Sequence, residues 1–446
     1  MFRIILIIFL FFEIISYDKA SFEVYKHSLS ICKECIPYRL KVSPDENIVI
    51  SIPSLYNSSS NSRIGNENNF TLVKMNENDK FESLLENYNL YSVMGYYIDK
   101  DNKYYILDQG KISENGYKVD KDTPKLILYN QNDGKIVEYK FEGIDLTSSI
   151  LTDVIVDHEG KYAYITDSGN LNLTNEKSNS GIIVLKLDSR KVYRILNNHS
   201  SFKADTNINL QKPLTNNTVN NFISEAVGVN NIQISCNDKT LFYSSSRSNN
   251  IYSVSTKDIL KAIEKYDKSQ NLNDLNNIKV NSANKKFISK NFIISSKNNL
   301  FMTNFETKNI DVSFYLDGDL SYFNSDLNSK IKTKDNQINL PYSLDINDGN
   351  LYLLTNNFSN DHLLENCTIY KAELKKDELN NNIGCSVFIF KLYGGVIFLL
   401  IWFFIILFIV ILLIIINSGT KLEQSNLMKE IAEAAEINEL NRELNG

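Results

Sequence analysis

Six times along its 446 residues this chain repeats one short phrase. An apolar strand runs into a turn of Asp, Asn, Gly or Lys, and a second strand rich in Tyr, Ile, Leu or Phe runs out of it. The phrases are RLKVSPDENIVISIPS from Arg39, GYYIDKDNKYYILDQG from Gly95, DVIVDHEGKYAYITDSG from Asp153, NIQISCNDKTLFYSSSRS from Asn231, NFIISSKNNLFMTNFET from Asn291 and SLDINDGNLYLLTNNFS from Ser343. The turn chemistry is that of a β-hairpin. Further strand-like runs follow, among them KLILYN, IVEYKF, GIIVLKL, VYRIL, NIYSVS and TIYKAEL. Units of three or four strands recurring about every 50 to 80 residues point to a radial or stacked architecture. Such units suit the blades of a β-propeller, where closing the ring protects strand edges. The expected fold is all-β, a six-bladed β-propeller, with each phrase the inner half of a blade and its first strand beside the central channel. A pair of β-sandwiches is the alternative; it fits less well, because the units keep one order and no linker divides them.

Composition agrees with strands and excludes one class of partner. Tyr (25) and Phe (24) are plentiful while Gly (17) and Pro (6) are scarce, a balance that favours sheet over helix. Acidic residues outnumber basic ones, 53 to 47, and no basic stripe appears, so no nucleic acid is expected as a partner. Two polar stretches, around 198–221 and 261–286, read as surface loops, the second with a short helix at Ile259 to Tyr266.

Both ends are apolar. MFRIILIIFLFFEIIS opens with Arg3 and an apolar run broken by Glu13, which fits a secretory signal over residues 1–16; a retained signal anchor is the alternative. LYGGVIFLLIWFFIILFIVILLIII, Leu392 to Ile416, carries no charge and is long enough to span a hydrocarbon core of roughly 30 Å. The expected organisation is a signal, a propeller ectodomain over 21–384, a transmembrane helix over 392–416 and a cytoplasmic helical tail over 417–446. The orientation rests on the signal, since Lys391 flanks the outer side and flanking charge does not decide it. The localisation expected is a single-pass membrane protein with its ectodomain extracellular or luminal. In the tail, Leu427, Ile431, Ala434, Ile437, Leu440 and Leu444 recur at helical spacing, which allows weak self-association or a solvated helix.

Export permits disulfides. The cysteines are Cys32, Cys35, Cys236, Cys367 and Cys385. No second pair stands at metal spacing to Cys32-x-x-Cys35. An open ring would leave unpaired edges, so the N-terminal segment Ser21 to Ile36 is expected to add a strand to the sixth blade. That strand would bring Cys32 or Cys35 near Cys367 for a disulfide, with Cys385 the other candidate partner of an N-terminal cysteine; a local Cys32–Cys35 link competes. Sequons at Asn57, Asn69, Asn172, Asn198, Asn216, Asn357 and Asn366 are candidate glycosylation sites, at about the number chance would give. The four histidines, His27, His158, His199 and His362, lack metal spacing, and His158 reads as an exposed turn residue. No hydrolase, Walker or dinucleotide-binding phrase is present, and no cofactor is expected.

The order of the phrases resembles the major royal jelly protein and Yellow family. LTDVIVDHEGKYAYITDSG followed by SGIIVLKLDSRKVYRIL is similar to its third blade, VMGYYIDKDNKYYILDQG and TPKLILYN to its second, LFYSSSRSNNIYSVST to its fourth and LPYSLDINDGNLYLLTNNFS to its last. The resemblance covers roughly Arg39 to Leu374 and implies an exported six-bladed propeller. It departs from the family pattern in DKDNK and KDTPKL, where a cysteine staple is missing, and at Pro53-Ser54, Thr152-Asp153, Val227-Gly228 and Leu340-Pro341-Tyr342. Some members bind biogenic amines in the channel through an Asn-x-aromatic phrase on the last blade; Asn356 and Phe358 match it, with Asp153 as the nearby carboxylate. A ring and a polar acceptor would suit an aromatic amine; an ordinary blade-end turn is the plain alternative. Lactonase-like relatives hold a divalent metal, for which Asp153, Glu225 and Asp345 would be the carboxylates, though Asp153 also reads as a structural strand cap. The expected function is therefore binding of a small ligand or an extracellular partner protein. The alternative is a dopachrome-converting or lactonase-like enzyme acting at the channel.

Overall fold

The computed structural model describes residues 21–29, 36–54, 71–76, 80–114, 117–147, 149–169, 180–203, 228–245, 248–285, 287, 289–295, 299–304, 307–314, 329–333, 340–358 and 364–374, and, nearer the C-terminus, 402–411, 413, 424–434, 436 and 438. The chain divides into two units, Met1–Cys385 and Ser386–Gly446.

The first unit begins with β1 (Ser21–Leu29). Blade one follows as β2 (Arg39–Val42), β3 (Ile48–Ser51), β4 (Leu72–Met75) and β5 (Phe81–Ser83). Blade two has β6 (Val93–Ile98) and β7 (Lys103–Asp108), then a separate hairpin, β8 (Lys111–Glu114) and β9 (Tyr117–Asp120), before β10 (Lys125–Asn130) and β11 (Lys135–Lys140). Blade three is β12 (Leu151–Val156), β13 (Tyr162–Asp167), β14 (Gly181–Lys186) and β15 (Val192–Ile195). Blade four is β16 (Val229–Ile234), β17 (Thr240–Ser245) and β18 (Asn250–Ser255), then α1 (Thr256–Ser269) and α2 (Leu272–Asn276), then β19 (Val280–Asn284). Blade five is β20 (Phe292–Ile294), β21 (Asn299–Asn304), β22 (Asn309–Phe314) and β23 (Ser329–Thr333). Blade six is β24 (Leu340–Asn347), β25 (Asn350–Phe358) and β26 (Leu364–Glu373).

The inner strands close a ring. β2 touches β6, β6 touches β12, and the series continues through β16, β20 and β24 back to β2. This is the six-bladed propeller that the repeats predict. Inner strands lie between two neighbouring blades, so β6, β12 and β16 are buried along their whole length rather than at alternate positions.

Closure follows the predicted route. β1 pairs antiparallel with β26, Val24 opposite Tyr370 and Leu29 opposite Cys367, and so becomes the outermost strand of blade six. It also runs parallel to β23, Ser21 opposite Lys332, so one strand joins the outer edges of blades five and six. The predicted bridge at Cys367 is corrected. That residue is a buried thiol packed among Leu40, Leu354 and Ile369, and burial pushes its pKa up to about 12. Cys32 and Cys35 lie outside the described residues. Cys236, unassigned by the sequence reading, is disulfide-bonded.

Two local expectations also change. The helix in the second polar stretch is α1, 14 residues long rather than the eight from Ile259 to Tyr266. Ser255 caps it by accepting from Asp258 N at 3.3 Å, and Gln270 ends it in the left-handed region. Ile259, Ile263 and Leu275 are buried in the core shared by blades two to four, so this insertion is packed rather than solvated. His158 is not an exposed turn residue: its Nδ1 lies 2.5 Å from Asp238 Oδ1, and its N–H donates to Asp238 Oδ2 at 3.1 Å. That pair ties the hairpin turns of blades three and four.

In the second unit, residues 402–411 and 424–434 are helical and exposed. Among the described residues no helix is long and apolar enough to cross a membrane. Most of the predicted span over 392–416 and all of the predicted signal over 1–16 lie outside the described residues.

Candidate functional site

Four of the six inner strands share one irregularity. The β6–β7 register slips between Val93 and Tyr96, β12–β13 between Leu151 and Asp153, β16–β17 between Val229 and Asn231, and β24–β25 between Pro341 and Ser343. A bulge at the entry of a strand re-aims the side chain beside it. Aligned by register, the equivalent position in the six blades is Tyr38, Met94, Thr152, Asn230, Lys290 and Tyr342. These residues form a hub at one end of the channel. The Tyr38 hydroxyl donates to Asn230 Oδ1, and the Tyr38 and Tyr342 rings meet edge to face at 5.8 Å. Met94 and Ile150 pack with both rings. The Lys290 ammonium lies 4.8 Å from the Tyr342 centroid and 5.8 Å from that of Tyr38, within cation–π range. Desolvation in this hub raises the Tyr38 pKa far above the ordinary phenol range.

The next residue of each inner strand makes a second layer, and this layer is a tie. Asp153 Oδ2 accepts from Ile232 N at 3.2 Å, Asn231 Oδ1 from Phe292 N at 3.4 Å, Asn291 Oδ1 from Leu344 N at 3.0 Å and Ser343 Oγ from Leu40 N at 3.0 Å. Each side chain thus fastens the inner strand of the following blade. Asp345 repeats the device two residues on: Val42 N donates to it at 2.7 Å and Lys41 Nζ at 3.1 Å.

Asp153, predicted as a ligand or catalytic carboxylate, belongs to this series. It is 4 % exposed. It also accepts from Asn231 Nδ2 at 3.0 Å and pairs with Arg39 Nη2 at 3.0 Å. Burial raises its pKa, opposed by the Arg39 and Lys41 charges; burial likewise raises that of Asp345. Among the described residues no cluster of three metal-ligating side chains occurs.

Asn356, the other predicted ligand residue, is fully buried and donates through Nδ2 to Pro37 O at 3.1 Å, beside the hub residue Tyr38. Its Oδ1 is buried with no hydrogen-bond partner among the described residues. Phe358 lies in β25 opposite Leu364, but its side chain is outside the described set. Asn356 and Asp153 meet blade one at different points: Asn356 at the Pro37 carbonyl, Asp153 at the Arg39 guanidinium. Of the sequons, Asn198 is exposed in a turn with φ 57°, and Asn357 and Asn366 pair across β25 and β26. Asn57, Asn69, Asn172 and Asn216 lie outside the described residues.

Tyr38, Arg39, Asn230, Lys290 and Tyr342 were missed from sequence. Each stands at or near the start of a short apolar strand, and for Asn230 and Tyr342 a bulge sets which face of the strand it occupies. In the Asp-x-Gly turns the carboxylates bond the backbone of the turn itself. Asp108 accepts from Ser92 N at 2.9 Å and Gly110 N at 3.2 Å. Asp167 accepts from Gly169 N at 2.8 Å and Ser149 Oγ at 2.6 Å, and pairs with Arg194 at 2.7 Å.

Six blades, the last completed by the N-terminal strand, and buried side chains meeting from neighbouring and opposite inner strands define a six-bladed β-propeller with a packed hub. The sequence model of the major royal jelly protein family matches residues 91–383, and the chain belongs to that family. No curated protein matches it in sequence. Among solved structures, luciferin-regenerating enzyme is similar at 10 % identity and TM-score 0.47, covering 82 % of this chain and 99 % of that one. Virginiamycin B lyase from Staphylococcus aureus is similar at 12 % identity and TM-score 0.42, covering 79 % and 100 %.

Proposed function

We propose that this protein is a membrane-anchored propeller displayed on the extracellular or luminal side, and that it binds a small ligand where the hub meets Asn356. The observation that carries the reading is the Asn356 Oδ1 atom, buried without a hydrogen-bond partner among the described residues. An unmet buried acceptor costs about 1–3 kcal/mol, which a ligand N–H would recover. An aromatic amine supplies that donor and a ring for the aromatic wall of Tyr38 and Tyr342. Lys290 already lies over both rings, so an amine would have to sit beside it or displace it. Anchoring and export rest on the apolar segments at 1–16 and 392–416, and the disulfide-bonded state of Cys236 agrees with an oxidising compartment. The enzyme alternative asked Asp153 to act as acid, base or metal ligand. The four contacts that Asp153 makes to Arg39, Asn231, Ile232 and Val154 weigh against that role.

The test is calorimetric titration of the detergent-solubilised full chain with tryptamine. Saturable binding that falls at least tenfold in Asn356→Leu is expected. Equal affinity in the variant would remove Asn356 from the site. Silence toward tryptamine and a wider panel of amines and sugars would leave a protein partner as the occupant.

A further inference from the structure

A second concave site lies away from the hub, on blade two, between the β8–β9 hairpin and the connection from β11 to β12. Its volume is about 700 Å³, within the ~300–1,000 Å³ usual for small-molecule pockets. Its apolar wall is Phe141, Ile144 and Leu146, from the connection between β11 and β12, with Pro124 facing from the turn before β10. This turn is fixed. Lys121 N and Asp122 N both donate to Gly110 O, at 2.8 and 2.9 Å. Gly110 has φ 62°, and a Cβ there would fall 2.2 Å from Asp122 O, so only glycine permits the approach. Just before this turn's anchor, Gln109 ties blade two to blade three, its Oε1 accepting from Leu151 N at 3.0 Å.

The charge that faces this space from the interior is Lys111. It is only 9 % exposed. Its ammonium reaches Thr147 O at 3.4 Å and Leu146 O at 3.5 Å, beyond the 2.7–3.2 Å of well-made N–H···O bonds. The Asp120 carboxylate is 3.8 Å away on a side chain 80 % exposed. Two of the other lining acids are engaged: Asp122 holds Lys125 Nζ at 2.7 Å, and Asp145 accepts from Thr147 N and Oγ1 at 2.9 and 2.7 Å; Glu142 is exposed at the rim. Lys111 is thus a nearly buried lysine with long contacts, beside the apolar wall of the cleft. The lysines at the rim, Lys121 and Lys140, add positive charge, while Asp120 and Glu142 disfavour a ligand bearing more than one negative charge.

We infer that this cavity is a binding site for a small organic acid, with an apolar ring or chain against Phe141, Ile144 and Leu146 and a single carboxylate on the Lys111 ammonium. A charge-assisted bond to this ammonium discriminates the acid from its neutral amide. The site is independent of the amine reading at Asn356, and three probes of one shape separate them: indole-3-acetate, indole-3-acetamide and tryptamine.

Titration of the detergent-solubilised full chain should give saturable binding of indole-3-acetate at least tenfold tighter than of indole-3-acetamide. Lys111→Met should abolish that preference, whereas Asn356→Leu should leave it unchanged. Leu146→Trp, which fills the cavity and keeps the lysine, should weaken indole-3-acetate at least tenfold and decides the matter if Lys111→Met does not fold. Absence of indole-3-acetate binding, equal affinity for acid and amide, or full affinity in either folded variant would overturn the assignment. Loss of tryptamine binding alone would bear only on the hub.

Discussion

The Arg39 guanidinium on blade one lies 3.0 Å from the Asp153 carboxylate on blade three, and the two side chains are 3 % and 5 % exposed. The pair skips blade two, whose equivalent residue is Gly95. It is also the one fully buried ion pair among the tie residues, where Asn231, Asn291 and Ser343 do the same work without charge. Removing one partner of such a pair strands the other charge and typically costs ~3–5 kcal/mol. Arg39→Met and Asp153→Asn should each lower the free energy of unfolding by that order. The double variant should lose less than the sum, because neither charge is then left alone. Strict additivity in a denaturant-unfolding cycle would show that the two residues act separately.

Gly95 is a packing requirement. A Cβ on it would fall 2.5 Å from Asp153 Cα and 2.9 Å from Thr152 O, both backbone atoms that cannot swing aside. Gly95→Ala is expected to cost about 1–3 kcal/mol, the range for overpacking, even though alanine is otherwise the better-tolerated residue in a strand. A thermal midpoint equal to that of the parent chain would mean that blades two and three slide apart at no cost.

Lys285 follows β19 with no exposed surface, and its Nζ meets Ser244 Oγ at 2.9 Å. Burial pushes its pKa down from 10.5 to about 7. Between those values the unfolded chain holds the proton and the folded chain does not, so stability rises with pH from about 7 to about 10.5. Below about 7 the folded protein carries the whole cost of a buried ammonium. Lys285→Met should stabilise the protein at pH 7 and flatten this rise. The check is urea unfolding at pH 7, 8 and 9; a slope unchanged by the substitution would assign the pH dependence to other groups.

Ring closure depends on β1. Val24 and Lys26 pair with Tyr370 and Ile369. Proline at both removes donors from the strand, and each backbone group left buried and unpaired costs roughly 1–3 kcal/mol. The double variant should melt lower and be cut sooner by protease within blade six. Unaltered proteolysis would show that β25 and β26 hold without a fourth strand.

The repeat of apolar strand, polar turn and aromatic strand determined the six blades, because the period of two and the turn residues are local properties. GKYAYITDSG reads as a strand and a closing turn whatever surrounds it, and the structure keeps both. The closing strand was also legible, since an unpaired edge demands a partner and only the N-terminal segment remained. What the tertiary structure decided is which side chains reach the axis. A bulge of one residue rotates Tyr342, Asn230 and Met94 into the hub, and no alternation rule records where a strand slips. Asp153 looked functional because a buried carboxylate beside a channel is a natural ligand. Its partner Arg39 stands 114 residues earlier in the chain and meets it only when the ring closes. The unmet oxygen of Asn356 and the half-met ammonium of Lys111 are of the same kind. Each is ordinary in sequence, and each becomes informative only once the surrounding chain has excluded water from it.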